Sequence, residues 1–470
     1  MWIPLGPIGR LLHLLWRKLP DFHLGKSILV MLMVALITGA VVSVRPSQPR
    51  AELTVWVFAD SHYKSFEPLV AEFSRRNNVK VNLNLLSARA LVVRLGQLFM
   101  GDAGPDQMPD LVEVEIGLVG RFFRPPVNEV GFLPLNDRLK ESGWYDQIVE
   151  TRFAPWSKEG MIFGVPHDVH PCTITYRQDL FDEAGVNLSE AKTWAEFQEA
   201  CLKFERYWRG KGYKYRHAME LAEGSADDLQ KMLLQRGINP IDSYGNIHVD
   251  DPRVAQTLAF YAQLVAGPRK IGAQTPAGMA ALTRDLTEGN LCAFITPDWR
   301  LTYIKRYGAA CSGKMRMMPM PVFEPGDKPT STWGGTMLGI TRACPNPELA
   351  WKLLEFLYFS DEGFRSRMTY TDILPPIKSK WADPLFHKND PFFGGQKSGE
   401  LLTELAAQIP PRYVTPATGI ASQELNDAVA EAVAYVKVHG TAGLEQHCQE
   451  RLSAIARDLE ARMAQWRFEK

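Results

Sequence analysis

Six cysteines are spread over 470 residues, and they form no CxxC pair and no metal-ligand spacing. That excludes a zinc ribbon or a dithiol redox motif, and the wide scatter argues against a disulfide scaffold. In an exported chain Cys292 and Cys311 are the pair favoured for a bridge; isolated buried thiols are the default for all six. Net charge is missing as well. Lys+Arg and Asp+Glu balance at 53 each, so no overall field favours nucleic acid or an anionic surface. There is no Gly-x-Ser-x-Gly elbow and no Gly-rich phosphate loop with its Lys. No two tyrosines are adjacent, which weighs against the hard oxygen ligands a ferric-ion binder needs. A glycoside hydrolase needs two acids flanking one bond, and nothing selects a pair among the many carboxylates here. There is no internal repeat and no low-complexity tract either.

Charge is absent from residues 27–44 (SILVMLMVALITGAVVSV), an apolar run bracketed by Lys26 and Arg45. As a helix these residues would cover about 27 Å, close to the roughly 30 Å hydrocarbon core. Arg10, Arg17, Lys18 and Lys26 precede it against the single acid Asp21. By the positive-inside rule that end stays in the cytoplasm and everything beyond Arg45 is exported. The lead is long for a cleavable signal, the exit is no clean Ala-x-Ala, and no Cys follows for lipidation. The expected arrangement is a single-pass anchor in the cell membrane, with residues 1–26 a basic cytoplasmic lead; secretion after cleavage is the alternative. Residues 1–20 read as a short amphipathic helix on the inner membrane face.

What is present is a globular body: 46% hydrophobic residues, enough for sizeable cores, and twelve tryptophans. After a polar, Pro-containing linker at 45–50, residues 53–58 (LTVWVF) read as a strand, 66–76 as a helix and 79–85 (VKVNLNL) as a strand. A helix around 88–99 and a strand at 110–115 (DLVEVE) complete the alternation of a parallel α/β sheet. Thr193 and Glu196 make a capping box ahead of a helix over 194–209, and helices follow at 225–236 and 252–266. Strands are predicted at 291–296 and 333–341 with a Pro-limited edge segment at 316–321. A helix at 347–359, a loop-like stretch to about 400, and helices at 399–408, 422–438 and 441–465 close the chain.

Residues 163–186 (FGVPHDVHPCTITYRQDLFDEAGV) carry a Gly-Val-Pro turn, an acidic and histidine patch, a β-rich run and a helical ending. Residues 53–61 (LTVWVFADS), 109–115 (PDLVEVE), 288–299 (EGNLCAFITPDW), 331–363 (STWGGTMLGITRACPNPELAWKLLEFLYFSDEG) and 373–379 (ILPPIKS) follow in order. Together these segments resemble the extracellular solute-binding proteins of bacterial ABC importers, sugar-binding family 1, similar to maltose-binding protein. The resemblance covers about residues 52–460. It implies a type II periplasmic-binding-protein fold, α/β and two-lobed, here preceded by a transmembrane helix. Lobe 1 is expected at 51–164 and 322–375, lobe 2 at 165–321 and 376–470, with crossings near 165–175, 315–325 and 373–380. The implied function is binding a carbohydrate in the cleft between lobes and delivering it to an ABC permease, with no enzymatic activity and no cofactor. A polyamine or other small solute is the alternative ligand, and a sensory module the alternative role. Two features depart from the family: an apolar run in place of a lipidated cysteine, and the histidines of PHDVHP.

A sugar cleft needs paired polar groups for hydroxyls and aromatic planes for the apolar ring faces. Ligands lie beyond the carboxyl ends of strands in doubly wound sheets, which points to Asp60 after the first strand and Glu115 at the end of the third. Capping the following helix is an equal reading of Asp60. Asp168 and His170 fall at the first crossover that the resemblance implies. Trp299 is similar to the aromatic platform of the sugar binders, and Trp333 is expected as a second stacking surface. Gly334 and Gly335 would let backbone amides approach the ligand closely. Trp56, inside a strand, is assigned to the core. A metal reading of His167, Asp168 and His170 fails because a complete site needs more donors than this run shows.

Overall fold

A computed structural model describes residues 26–43, 51–101, 107–124, 126–275 and 278–468. The chain divides into two units, Met1–Arg50 and Ala51–Lys470. In the first, residues Lys26–Ser43 form a helix whose apolar side chains, Met31 and Leu36 among them, stand exposed. Among the described residues no helix is long and apolar enough to cross a membrane, so the transmembrane helix expected over 27–44 gains no support. Eighteen residues at 1.5 Å each reach about 27 Å, a little short of the hydrocarbon core. The amphipathic helix expected over 1–20 lies outside the described residues.

The second unit opens β1 (Leu53–Val57), α1 (Asp60–Asn77), β2 (Val81–Leu85), α2 (Ala88–Phe99) and β3 (Leu111–Glu115), the alternation read from the sequence. Then come β4 (Val165–Pro166), β5 (Thr173–Arg177), α3 (Trp194–Gly210), α4 (Asp227–Gln235) and α5 (Pro252–Val265). The chain continues through β6 (Ala293–Thr296), α6 (Asp298–Tyr307), β7 (Met315–Pro319), β8 (Thr336–Ile340), α7 (Pro347–Tyr358) and α8 (Asp361–Tyr370). It closes with α9 (Thr418–His439) and α10 (Leu444–Phe468). Each helical crossover returns its strand in parallel, so β1 pairs β2 from Leu53↔Val81 and β3 from Val55↔Leu111. The first sheet runs β2-β1-β3-β8-β4, with β8 antiparallel to both neighbours. A separate antiparallel sheet runs β6-β5-β7.

Apolar clusters flank the first sheet. Leu53, Val55 and Val57 pack with Phe66 of α1 and Leu353 of α7, while Trp56 packs with Leu91 and Leu95 of α2, inside the core as assigned. The second sheet anchors a larger cluster, in which Ile174 and Tyr176 of β5 join side chains of α3, α4, α5, α9 and α10. All six cysteines are buried and none forms a disulfide, so the bridge favoured between Cys292 and Cys311 is not made.

Local chemistry sets the element ends. The capping box at Thr193 is present: its hydroxyl accepts from the Glu196 amide at 3.2 Å, and Glu196 accepts from the Thr193 amide at 2.9 Å. Thr193→Ala is expected to cost about 1 kcal/mol, read as a lower urea midpoint at unchanged slope. The strand predicted over 333–341 begins only at Thr336, because Gly334 (φ +83°) and Gly335 (φ +149°) leave the extended region. Trp333 therefore precedes the strand. The layer boundaries also move: β4 belongs to the first sheet, beyond the expected limit at 164. Residues 322–323 stay with the second layer, where Val322 bridges Thr193 and the Phe323 ring lies 6.1 Å from Trp194.

Candidate functional site

Three chain segments that pass between the two sheets meet at one buried chain of charges. Pro171 and Thr332 form a β-bridge, which sets the segments before β5 and before β8 side by side. Asp168, fully buried, accepts from Arg152 Nη2 at 2.6 Å through one oxygen. Its other oxygen accepts the Thr336 amide at 2.9 Å and lies 3.1 Å from His170 Nε2. His170 Nδ1 lies 2.5 Å from Asp298 Oδ1, and Asp298 Oδ2 accepts the Leu374 amide at 2.7 Å. Arg152 also donates to the Asp168 carbonyl at 2.9 Å and to the Thr332 hydroxyl at 3.1 Å. Segments 166–173, 330–336 and 372–376 are thus tied through Arg152, Asp168, His170 and Asp298.

The electrostatics follow from burial and pairing. Burial alone would raise the Asp168 carboxyl; the charges of His170 and Arg152 and the nearby His167 override it and hold it well below the ordinary range. Burial alone would lower His170, yet the carboxylates of Asp168 and Asp298 hold it up to about 9. The His170 backbone sits at φ +58°, a left-handed conformation that costs a non-glycine residue about 1–3 kcal/mol. Two carboxylate contacts on one imidazole hold it there. A side chain on Gly335 would meet Arg152 Nη2 at 2.4 Å, so this glycine keeps the guanidinium in place.

Beside this brace stand the tryptophans. Trp299, on the first turn of α6, donates from Nε1 to the Trp333 carbonyl at 3.0 Å. The rings meet edge to face with centroids 5.3 Å apart, and both are half-buried. A Cβ on Gly334 would lie 3.2 Å from Trp299 Nε1. Lys231 Nζ lies over the Trp333 ring, 3.3 Å from its centroid, and Arg300 lies 5.4 Å from the same ring. Buried Lys231 sits 2.8 Å from Asp228 as an ion pair, but the angles make no hydrogen bond.

Glu115 ends β3, half-buried, with one oxygen accepting the Gly117 amide at 2.7 Å. Burial raises its pKa while Arg412 opposes the rise. From Gly117 a cavity of about 600 Å³ runs past Phe99, Arg121, Val414 and Thr415.

The structure therefore brings Glu115, Trp299, Trp333, Gly334 and Gly335 together with Asp168 and His170, and it divides their duties. Asp168 and His170 direct their polar atoms to the protein itself, so the reading of them as hydroxyl contacts gives way to a bracing role. Asp60 stands apart on the exposed first turn of α1, where it pairs with Lys64 at 2.7 Å. Lys231, Arg412, Arg152 and Asp298 were not singled out in the sequence. Only Lys231 left a signal, a lone charge within the apolar run KMLL of α4.

Residues 69–393 match the family described as bacterial extracellular solute-binding protein. The chain is similar to the arabinooligosaccharide-binding protein of Halalkalibacterium halodurans, 24% identical over 411 residues, which cover 86% of this chain and 89% of that one. It is also similar to the lactose-binding protein of Rhizobium radiobacter, at 22% identity over 84% of this chain and 90% of the other. Among solved structures it shares its fold with the sugar-binding protein MalE of Xanthomonas citri, with a TM-score of 0.68 and 18% identity over 87% of this chain and 99% of that one.

Proposed function

The chain belongs to the bacterial extracellular solute-binding proteins, and on that premise we propose that it holds an oligosaccharide between its two sheets for delivery to an ABC permease. Membership of that family makes it a binding protein and not an enzyme. The observation that carries the sugar reading is the half-buried pair Trp299 and Trp333 at the junction of the two layers, with Glu115 paired across the sheet from Thr336, the residue after Gly335. Aromatic faces suit the apolar faces of pyranose rings. Relatives described as arabinooligosaccharide- and lactose-binding support the same class of ligand. A polyamine fits less well, because Lys231 and Arg300 already place cations against Trp333.

We take Trp299 as the stacking surface, Trp333 as its support and partner, Glu115 as a hydroxyl acceptor, and the Gly334–Gly335 backbone as the close approach. The two layers act as lobes that close on the ligand, since only a ligand touching both favours the closed state. Trp299→Ala should weaken binding by about 1–3 kcal/mol, roughly ten- to a hundredfold, with the fold unchanged. Calorimetry against arabino-, galacto- and malto-oligosaccharides, with a polyamine panel beside them, decides the matter. Binding of polyamines alone, or parent-like affinity in Trp299→Ala, overturns this site.

The apolar residues 27–44 serve, in the same proposal, to export the binding domain and retain it at the membrane. Fractionation with N-terminal sequencing should recover the intact chain in the membrane fraction. Soluble protein beginning near Arg45 would identify a removable signal instead.

A further inference from the structure

A second buried polar group is left unused by solute binding. His62 on the first turn of α1, Glu113 on β3 and His167 just past β4 each offer a donor atom, and these three atoms lie within 4.8 Å of one another. Their side chains are almost fully enclosed, at 4%, 0% and 1% exposure. His62 Nδ1 lies 3.0 and 3.1 Å from the two oxygens of Glu113, and the imidazole centroids of His62 and His167 are 4.0 Å apart. His167 is the anomaly. Neither of its ring nitrogens has a hydrogen-bond partner, and its approach to Asp168, 3.7 Å, is too long to be one. A buried imidazole with both nitrogens unpaired calls for an explanation.

We propose that His62, Glu113 and His167 form a binding site for a divalent transition-metal ion, zinc by preference. Two imidazoles and one carboxylate suit zinc and its neighbours, whereas calcium and magnesium take oxygen sets. Zinc bonds of about 2.0–2.1 Å require tetrahedral donors roughly 3.3 Å apart. The His62–Glu113 separation already meets that, and a ring rotation of His167 brings in the third donor. Tyr358, whose hydroxyl lies 3.4 Å from Glu113 Oε1, is placed to complete the shell. Arg367, which donates to the His167 carbonyl, opposes a cation here; the Glu113 carboxylate supplies negative charge within the shell, and the Asp168 carboxylate lies 3.7 Å from His167. The donors missing from the run 167–170 thus come from α1 and β3. A bound ion would fasten the first helix, the central strand β3 and the first crossover to one another.

The test uses the full chain, stripped with a chelator and dialysed against zinc, with no sugar present. One zinc per chain should be retained, with a rise in Tm, and cobalt(II) in its place should give the visible ligand-field bands of a low-coordinate nitrogen–oxygen site. Glu113→Gln and His167→Ala should each lose the retained zinc while circular dichroism shows a folded chain. Crystals of the zinc-loaded protein, measured at the zinc absorption edge, locate the ion without any variant, should a variant fail to fold. No retained zinc in the folded parent, or an ion located away from these three residues, overturns the proposal. Sugar binding enters none of these readouts, so the two proposals stand or fall separately.

Discussion

Asp168→Ala should destabilise the protein by about 3–5 kcal/mol, the scale seen when one partner of a buried ion pair is removed. Asp168 is fully buried and Arg152 is 1% exposed, so water cannot replace the lost carboxylate. The substitution strands three donors at once: Arg152 Nη2, the Thr336 amide and His170 Nε2. Arg152 keeps only the Asp168 carbonyl and the Thr332 hydroxyl, neither of which carries charge. Adding Arg152→Met to Asp168→Ala should recover part of the loss, because the uncompensated charge goes with the guanidinium. Urea unfolding of the parent, both single variants and the double variant measures this. A loss below about 1 kcal/mol for Asp168→Ala would mean that the pair is hydrated and braces nothing. The same variant should leave the Trp299–Trp333 pair intact, which separates a brace from a ligand contact.

The strands and helices were legible wherever a short-range pattern decides them. Period-two alternation gave β2, the run LTVWVF gave β1, and Thr193 with Glu196 marked the start of α3. Asp168 and His170 were placed at the first crossover by the resemblance, but their use could not be read. The partners that consume their polar atoms are Arg152, sixteen residues back, and Asp298, 128 residues on. Asp60 misled for the opposite reason. Its ion pair with Lys64 is one helical turn away, and its exposure depends on packing that no local pattern encodes. Trp333 was placed within a strand because β-rich residues follow it; the positive φ angles at Gly334 and Gly335 show why the strand starts later. Glu113 and His62 are 51 residues apart, and the parallel pairing of β1 with β3 brings them within 3.0 Å.

The protein should lose stability as pH rises from about 6.5 to 9, and His170 should be the cause. Burial works against its charge, but Asp168 and Asp298 hold its folded pKa at about 9, against 6.5 for an ordinary imidazole. A group whose pKa is raised on folding binds its proton more tightly in the native state. Its contribution is therefore complete below the unfolded pKa of about 6.5 and disappears as pH passes through the folded value. At about 1.4 kcal/mol per pH unit, the gap sets a ceiling of about 3–4 kcal/mol for the whole effect. Deprotonation also leaves Asp168 and Asp298 sharing a neutral ring at 3.1 and 2.5 Å, and the left-handed backbone of His170 loses the attraction that holds it. Unfolding midpoints measured at pH 6, 7, 8 and 9 should therefore fall steadily in the parent. His170→Gln should start lower and stay nearly level across the same range, since it has no proton to lose. Other groups titrating toward alkaline pH act on both chains, so the difference between the two profiles isolates His170. Parallel profiles would show that the imidazole is already neutral at pH 7 and that the two carboxylates are balanced by Arg152 alone.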